Sequence, residues 1–117
     1  MTESISDAMR DLLRDISPHV VVIGSIARGS QTPNDLDLLF NCDNETVANK
    51  IRKIVAKHAL TYSSCLPGNW TFNEANSDMQ IEILPIHYGK SYTACRRKAT
   101  QREFWGVPLA VAPAEYC

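Results

Sequence analysis

Apolar residues recur at Ile5, Ala8, Met9, Leu12, Leu13 and Ile16, a spacing that predicts an amphipathic helix from Ser4 to Ile16. Ser6 is placed to cap it, and Ser17-Pro18 to stop it. Val20 to Ile23 is a continuous β-branched run, too short for a helix and suited to a buried strand. Gly24-Ser25 breaks that run, Ile26-Ala27-Arg28 can form a first helical turn, and Ser30 to Asn34 is turn chemistry. Asp35 to Phe40 reads as a second strand. Asp43 or Asn44 then caps a second helix running to about Ala59, with Val47, Ile51, Ile54 and Val55 on one face. Strands follow at Leu60 to Cys65, Trp70 to Phe72 and Met79 to Ile86, the last being the clearest. Lys90 to Thr100 is ambiguous and partly helical, and Glu103 to Val111 reads as a hairpin around Gly106. Strands separated by helices, with hairpins late, predict an α/β (α+β) fold: a mixed sheet with helices mainly on one face.

The chain has 117 residues, for which one domain is the default. A chain of this length buries roughly two-thirds of its unfolded surface, enough for a core without staples. With 44% apolar and 21% charged residues it is an ordinary soluble globular composition. A net charge of -1 exerts no global pull toward nucleic acid or membrane. Basic clusters do exist: Lys50, Arg52, Lys53 and Lys57, then Arg96, Arg97, Lys98 and Arg102; the simplest account of each is a solvated helix face. The four cysteines, Cys42, Cys65, Cys95 and Cys117, form no C-x-x-C pair and have no histidine at metal-ligand spacing, which argues against zinc. With no apolar run of membrane length and no signal peptide, reduced thiols in a cytoplasm are the expectation.

Two carboxylates interrupt the second strand. Side chains alternate along a strand, so Asp35 and Asp37 share one face while Leu36 and Leu38 point the other way. Like charges this close raise each other's pKa unless a cation sits between them, and an all-oxygen donor set suits a hard cation such as magnesium. Taken alone, such a pair is also what a polar strand face meeting water looks like. In "MQIEILPI" the same alternation puts Gln80, Glu82 and Leu84 on one face. If that strand lies beside Asp35–Phe40, Glu82 joins the aspartates, and three carboxylates together are costly without metal. Two magnesium ions would neutralise them and clamp an in-line phosphoryl displacement. The turn after Ile23 supplies Gly24 for close backbone approach, Ser25 as a hydroxyl donor, and a helix N-terminus suited to anions. Arg28 adds a cation and Gly29 lets the chain turn back.

These residues together, "VVVIGSIARGSQTPNDLDLLF" and "QIEILPI", resemble the DNA polymerase beta-type nucleotidyltransferase superfamily. Its signature is a hydrophobic strand, G-S-x-x-R-G, a short turn, D-x-D, then a third acidic residue on a later strand. The resemblance implies the nucleotidyltransferase fold, with Gly24 and Ser25 holding a triphosphate and Arg28 supporting that site. It implies that Asp35 and Asp37 ligate two Mg2+ ions (Mn2+ as a substitute), and that Glu82 ligates the catalytic one and helps deprotonate an acceptor hydroxyl. The residue before the first aspartate, often serine in the superfamily, is Asn34 here, and the third carboxylate is Glu82 where many members have Asp. The chain has no room for the extra domains of template-dependent polymerases, CCA-adding enzymes or aminoglycoside-type enzymes. The implied class is the small stand-alone nucleotidyltransferase-domain proteins, some of which adenylylate a partner protein. The expected partners are a nucleoside triphosphate and a second protein or second copy; membrane is not expected and nucleic acid is not indicated by charge. The competing expectation is a nucleotide-binding or protein-interaction module that keeps the fold without turnover. Trp70 and Trp105 are expected in the core or at a partner contact. A structural role is the simpler expectation for His87, and for Tyr92 the expectation is likewise against stacking on a base.

Overall fold

The computed structural model describes residues 5–24, 35–41, 44–58, 62–63, 70–73, 80–85 and 92–113, with the side chains of Asp35, Tyr62, Ser63 and Asn73 outside that description. The chain folds as an α+β domain around a mixed sheet.

Helix α1 (Asp7–Ile16) starts where the sequence predicts. Ser6 is extended and its hydroxyl accepts the Met9 N–H at 3.1 Å, a cap worth about 1 kcal/mol. Met9, Leu12, Leu13 and Ile16 are buried along its inner stripe. Pro18 turns the chain through a short 3-10 turn (Ser17–His19) into strand β1 (Val20–Ile23), which is buried throughout. Strand β2 (Asp35–Phe40) runs back antiparallel to it, pairing Val22 with Leu38 and Ile23 with Asp37. Helix α2 (Glu45–Lys57) is capped by Asn44, whose side chain accepts the Val47 N–H.

The remaining strands are β3 (Tyr62–Ser63), β4 (Trp70–Asn73), β5 (Gln80–Leu84), β6 (Thr100–Phe104) and β7 (Val107–Val111), with helix α3 (Tyr92–Arg97) before β6. The seven strands lie in the order β3-β4-β5-β2-β1-β7-β6. β2 and β5 are parallel, as are β1 and β7, and the other neighbours are antiparallel. The β6–β7 turn uses Trp105 at φ 53° and Gly106 at φ 83°. Two successive positive φ values match the twist that a two-residue hairpin needs. Arg10 Nε donates to the Trp105 carbonyl at 3.2 Å and ties that turn to α1.

One sheet face carries the main core. Val20, Val22, Leu36, Leu38, Phe40, Phe72, Ile81 and Ile83 meet the inner stripes of α1 and α2. Trp70 belongs to this core and Trp105 packs against it, which accounts for both tryptophans. Among the described residues the other face is covered only in part. There α3 sets Cys95, fully buried, over Val21, Ile23, Leu39 and Ala112, with Tyr92 packed alongside. Lys50, Arg52, Lys53 and Lys57 are exposed on α2, as a solvated face requires. No helix among the described residues is long and apolar enough to cross a membrane.

Helices α1 and α2 are joined by Asp15, whose carboxylate meets His58 Nε2 at 2.7 Å and Lys57 Nζ at 3.2 Å. The His58 hydrogen bond, aided by Lys57, holds the Asp15 carboxyl below its ordinary range. His19 is pushed the other way from its usual charge behaviour: burial, then the Lys50 charge, lowers its pKa. Below about pH 6.5 the unfolded chain therefore takes up a proton that the folded chain resists. Stability contributed at His19 is complete above that pH and is lost as pH falls toward the depressed folded value. The melting temperature is expected to drop between pH 7 and pH 5, and His19→Gln to flatten that slope. Melting curves of both proteins across the range check this; an unchanged slope in the variant assigns it to other groups. The Asp15 contribution is lost separately, at more acidic pH, because its folded pKa lies below the ordinary carboxylate value.

Candidate active site

The sheet order places β5 directly beside β2, so the adjacency on which Glu82 depends is met. The two strands are parallel and in register, with Asp35 opposite Gln80, Asp37 opposite Glu82 and Leu39 opposite Leu84. Neighbouring strands lie roughly 4.8 Å apart, so the Asp37 and Glu82 side chains leave the sheet as adjacent neighbours on one face. Their alternates, Leu36, Leu38, Ile81 and Ile83, are fully buried on the opposite face. Asp37 and Glu82 are half-buried, and no charged or polar side chain among the described residues is fully buried. The apolar alternation of each strand thus keeps Asp37 and Glu82 out of the main core, on a face where both are half-buried.

The row extends on both sides. Ile23 lies opposite Asp37 on the β1 side, and Thr71 of β4 lies opposite Glu82 on the other. One step along, Asn73, Gln80 and Asp35 occupy a second row by register. The carboxylates therefore stand on a border. Toward β1 and β7 the face is apolar and covered by α3; toward β4 it is polar and free of helix among the described residues.

Gly24 follows β1 at φ +78°, a conformation that side chains other than glycine rarely adopt. A Cβ at this position would lie 2.5 Å from Asp37 Oδ2 and 3.4 Å from its Cγ. The close backbone approach expected of this glycine is thus made against the Asp37 carboxylate. The glycine that ends one strand and the acid on the next are a single packed unit.

Ser25 and Arg28 lie outside the described residues, as do Gly29, Asn34 and His87, and the Asp35 side chain is likewise outside while its backbone is placed in β2. The structure brings Gly24, Asp37 and Glu82 together and sets the Asp35 backbone in the neighbouring row. Thr71 was missed in sequence reasoning. Its signal is the alternation of Trp70 and Phe72 into the core, which leaves Thr71 on the carboxylate face, but the β4–β5 register is needed to set it beside Glu82.

The donor chemistry of this face is that of oxygen ligands from two strands, which fits a hard divalent cation better than zinc or copper. Among the described residues no group of three or more His, Cys, Asp or Glu side chains forms a ready-made metal cluster; Asp37 and Glu82 make up a pair. Comparison with protein-family models, with curated proteins and with solved structures finds no match.

Proposed function

We propose that this domain is a metal-dependent nucleotidyltransferase of the minimal, stand-alone kind, with the nucleotidyltransferase fold. It moves a nucleoside monophosphate from a nucleoside triphosphate to an acceptor hydroxyl, for which a partner protein is the proposed source. The observation that carries this reading is the register of Asp37 with Glu82 on adjacent parallel strands, with Gly24 closed against Asp37 at the end of β1. A glycine turn, two alternate aspartates and a third acid brought alongside by the sheet form one tool for a triphosphate and its cations.

In this reading Asp35 and Asp37 would hold both Mg2+ ions, Glu82 would join them as a ligand of the catalytic one, and Gly24, Ser25 and Arg28 would receive the triphosphate. When bound, the two cations neutralise the carboxylates and stabilise the charge of the attacking and leaving oxygens. Glu82 accepts the proton of the acceptor hydroxyl, the acceptor oxygen bonds to the α-phosphorus, and the bridging oxygen leaves with pyrophosphate. The β4 side of the face, free of helix among the described residues, is the proposed approach of the acceptor, while α3 covers the β1 and β7 side.

The carboxylates should limit stability in the absence of cations, because like charges on one face repel. The double variant Asp35→Asn with Asp37→Asn is expected to melt no lower than wild type in chelator. Wild type at a hundredfold excess of Mg2+–ATP over its Kd should gain about 2.7 kcal/mol, and the double variant none of it. Thermal melts with each of the four triphosphates, with Mg2+ or Mn2+, read both quantities. A large fall in melting temperature for the variant in chelator would make the aspartates structural and remove the basis of the proposal.

A further inference from the structure

A second feature lies away from the carboxylate row. Ser17 and Pro18 of the 3-10 turn, Arg96 and Ala99 at the end of α3, Thr100 and Gln101 of β6, and Pro108 and Ala110 of β7 enclose a cleft of about 400 Å³. This volume lies within the range of small-molecule sites. No acidic side chain among the described residues lines it. Arg96 is anchored there, because its Nη1 donates to the Val20 carbonyl at 3.2 Å. A guanidinium carries five N–H donors, so this contact orients the group and leaves most of its donors for a ligand. Among the described residues Arg96 is the cation that lines the cleft; Arg97 and Lys98 follow in the chain and are exposed.

We propose that this cleft is a binding site for a phosphate monoester of about sugar-phosphate size. The assignment is independent of the carboxylate-face reading. A phosphate monoester carries a charge of about −1.5 to −2 at neutral pH and its oxygens match the planar fork of N–H donors on Arg96. The C-terminal end of α3 works against an anion, but a helix end carries about half a negative charge at most. The full charge of the Arg96 guanidinium outweighs it, and the Arg96 carbonyl is in addition occupied by the Ala99 N–H at 3.1 Å. Thr100 and Gln101 add a hydroxyl and an amide for the uncharged part of the ligand, and bare phosphate would leave much of the volume unfilled.

Isothermal titration in EDTA, which keeps the carboxylate row free of metal, tests this with ribose 5-phosphate, inorganic phosphate and ribose. Ribose 5-phosphate should bind more tightly than inorganic phosphate, and ribose should not bind. Arg96→Gln should weaken ribose 5-phosphate at least tenfold. Because that variant also loses the contact with the Val20 carbonyl, Thr100→Glu is the second probe; it sets a carboxylate in the cleft from an exposed strand position and should weaken binding as much. Asp37→Asn should bind as wild type does. Ribose 5-phosphate binding no more tightly than ribose, or undiminished binding in both cleft variants, would overturn the site. Equal binding of inorganic phosphate would overturn the ligand size, and loss of binding in Asp37→Asn would move the ligand to the carboxylate face.

Discussion

Glu82→Gln is expected to cut nucleotide transfer by about 10²-fold or more while leaving triphosphate affinity nearly unchanged, the usual scale of general acid–base assistance. Glu82 stands opposite Asp37 and between it and Thr71, so it borders the polar half of the face, which is free of helix among the described residues and is the proposed side of the acceptor. The aspartate pair remains to hold the triphosphate's own cation, so capture survives when the third carboxylate is neutralised. Glutamine keeps the volume and the strand position, and Ile81 and Ile83 continue to anchor β5 in the core. Glu82→Asp retains the charge on a shorter stem and should keep part of the activity. Single-turnover transfer rates, compared with equilibrium nucleotide binding, separate the two effects. Wild-type transfer by Glu82→Gln would exclude Glu82 from the chemistry.

Gly24→Ala should damage both stability and activity. The new methyl group would meet Asp37 Oδ2 at 2.5 Å, and the backbone at φ +78° is strained for any L side chain. The strain costs about 1–2 kcal/mol, or roughly 4–16 °C in the melting temperature of a domain this size. The Asp37 carboxylate must also rotate away, and a ligand displaced in this way no longer shares a cation with its neighbours. Gly106→Ala is the matched control. Its φ of +83° imposes similar strain, but nothing lies within 4 Å of the added methyl and the hairpin is remote in the sheet order from β5. Both variants should melt lower, while only Gly24→Ala should lose metal-dependent stabilisation by nucleotide. Loss of nucleotide response in Gly106→Ala as well would mean that the effect is general loosening.

Much of this architecture is legible in local pattern. The Ser6 and Asn44 caps, the β-branched run at Val20–Ile23 and the alternation of Asp35–Phe40 each follow from one residue's chemistry or one period, and each element formed within a few residues of its expected bounds. The parity that puts Asp37 and Glu82 on one face is likewise a property of each strand alone. Adjacency is different. That β5 pairs with β2, that β7 slots beside β1, and that α3 crosses to the sheet face opposite α1 and α2 depend on which apolar faces find each other. Six residues of helix, Tyr92–Arg97, carry too little periodicity to stand out, and their burial rests mainly on one side chain, Cys95. Gly24 is legible as a turn glycine, but its contact with Asp37 exists only once β1 and β2 are paired.

The central claim is that this face transfers a nucleotide. The most direct measurement is incubation of the purified domain with Mg2+ and ATP labelled at the α-phosphate, with cell extract as the source of acceptors. Retained label and released pyrophosphate are then followed in parallel. The account predicts equal amounts of covalently bound label and pyrophosphate, both abolished in Asp37→Asn and by chelator. Nucleotide binding without covalent label, or label that persists unchanged in Asp37→Asn, would contradict it.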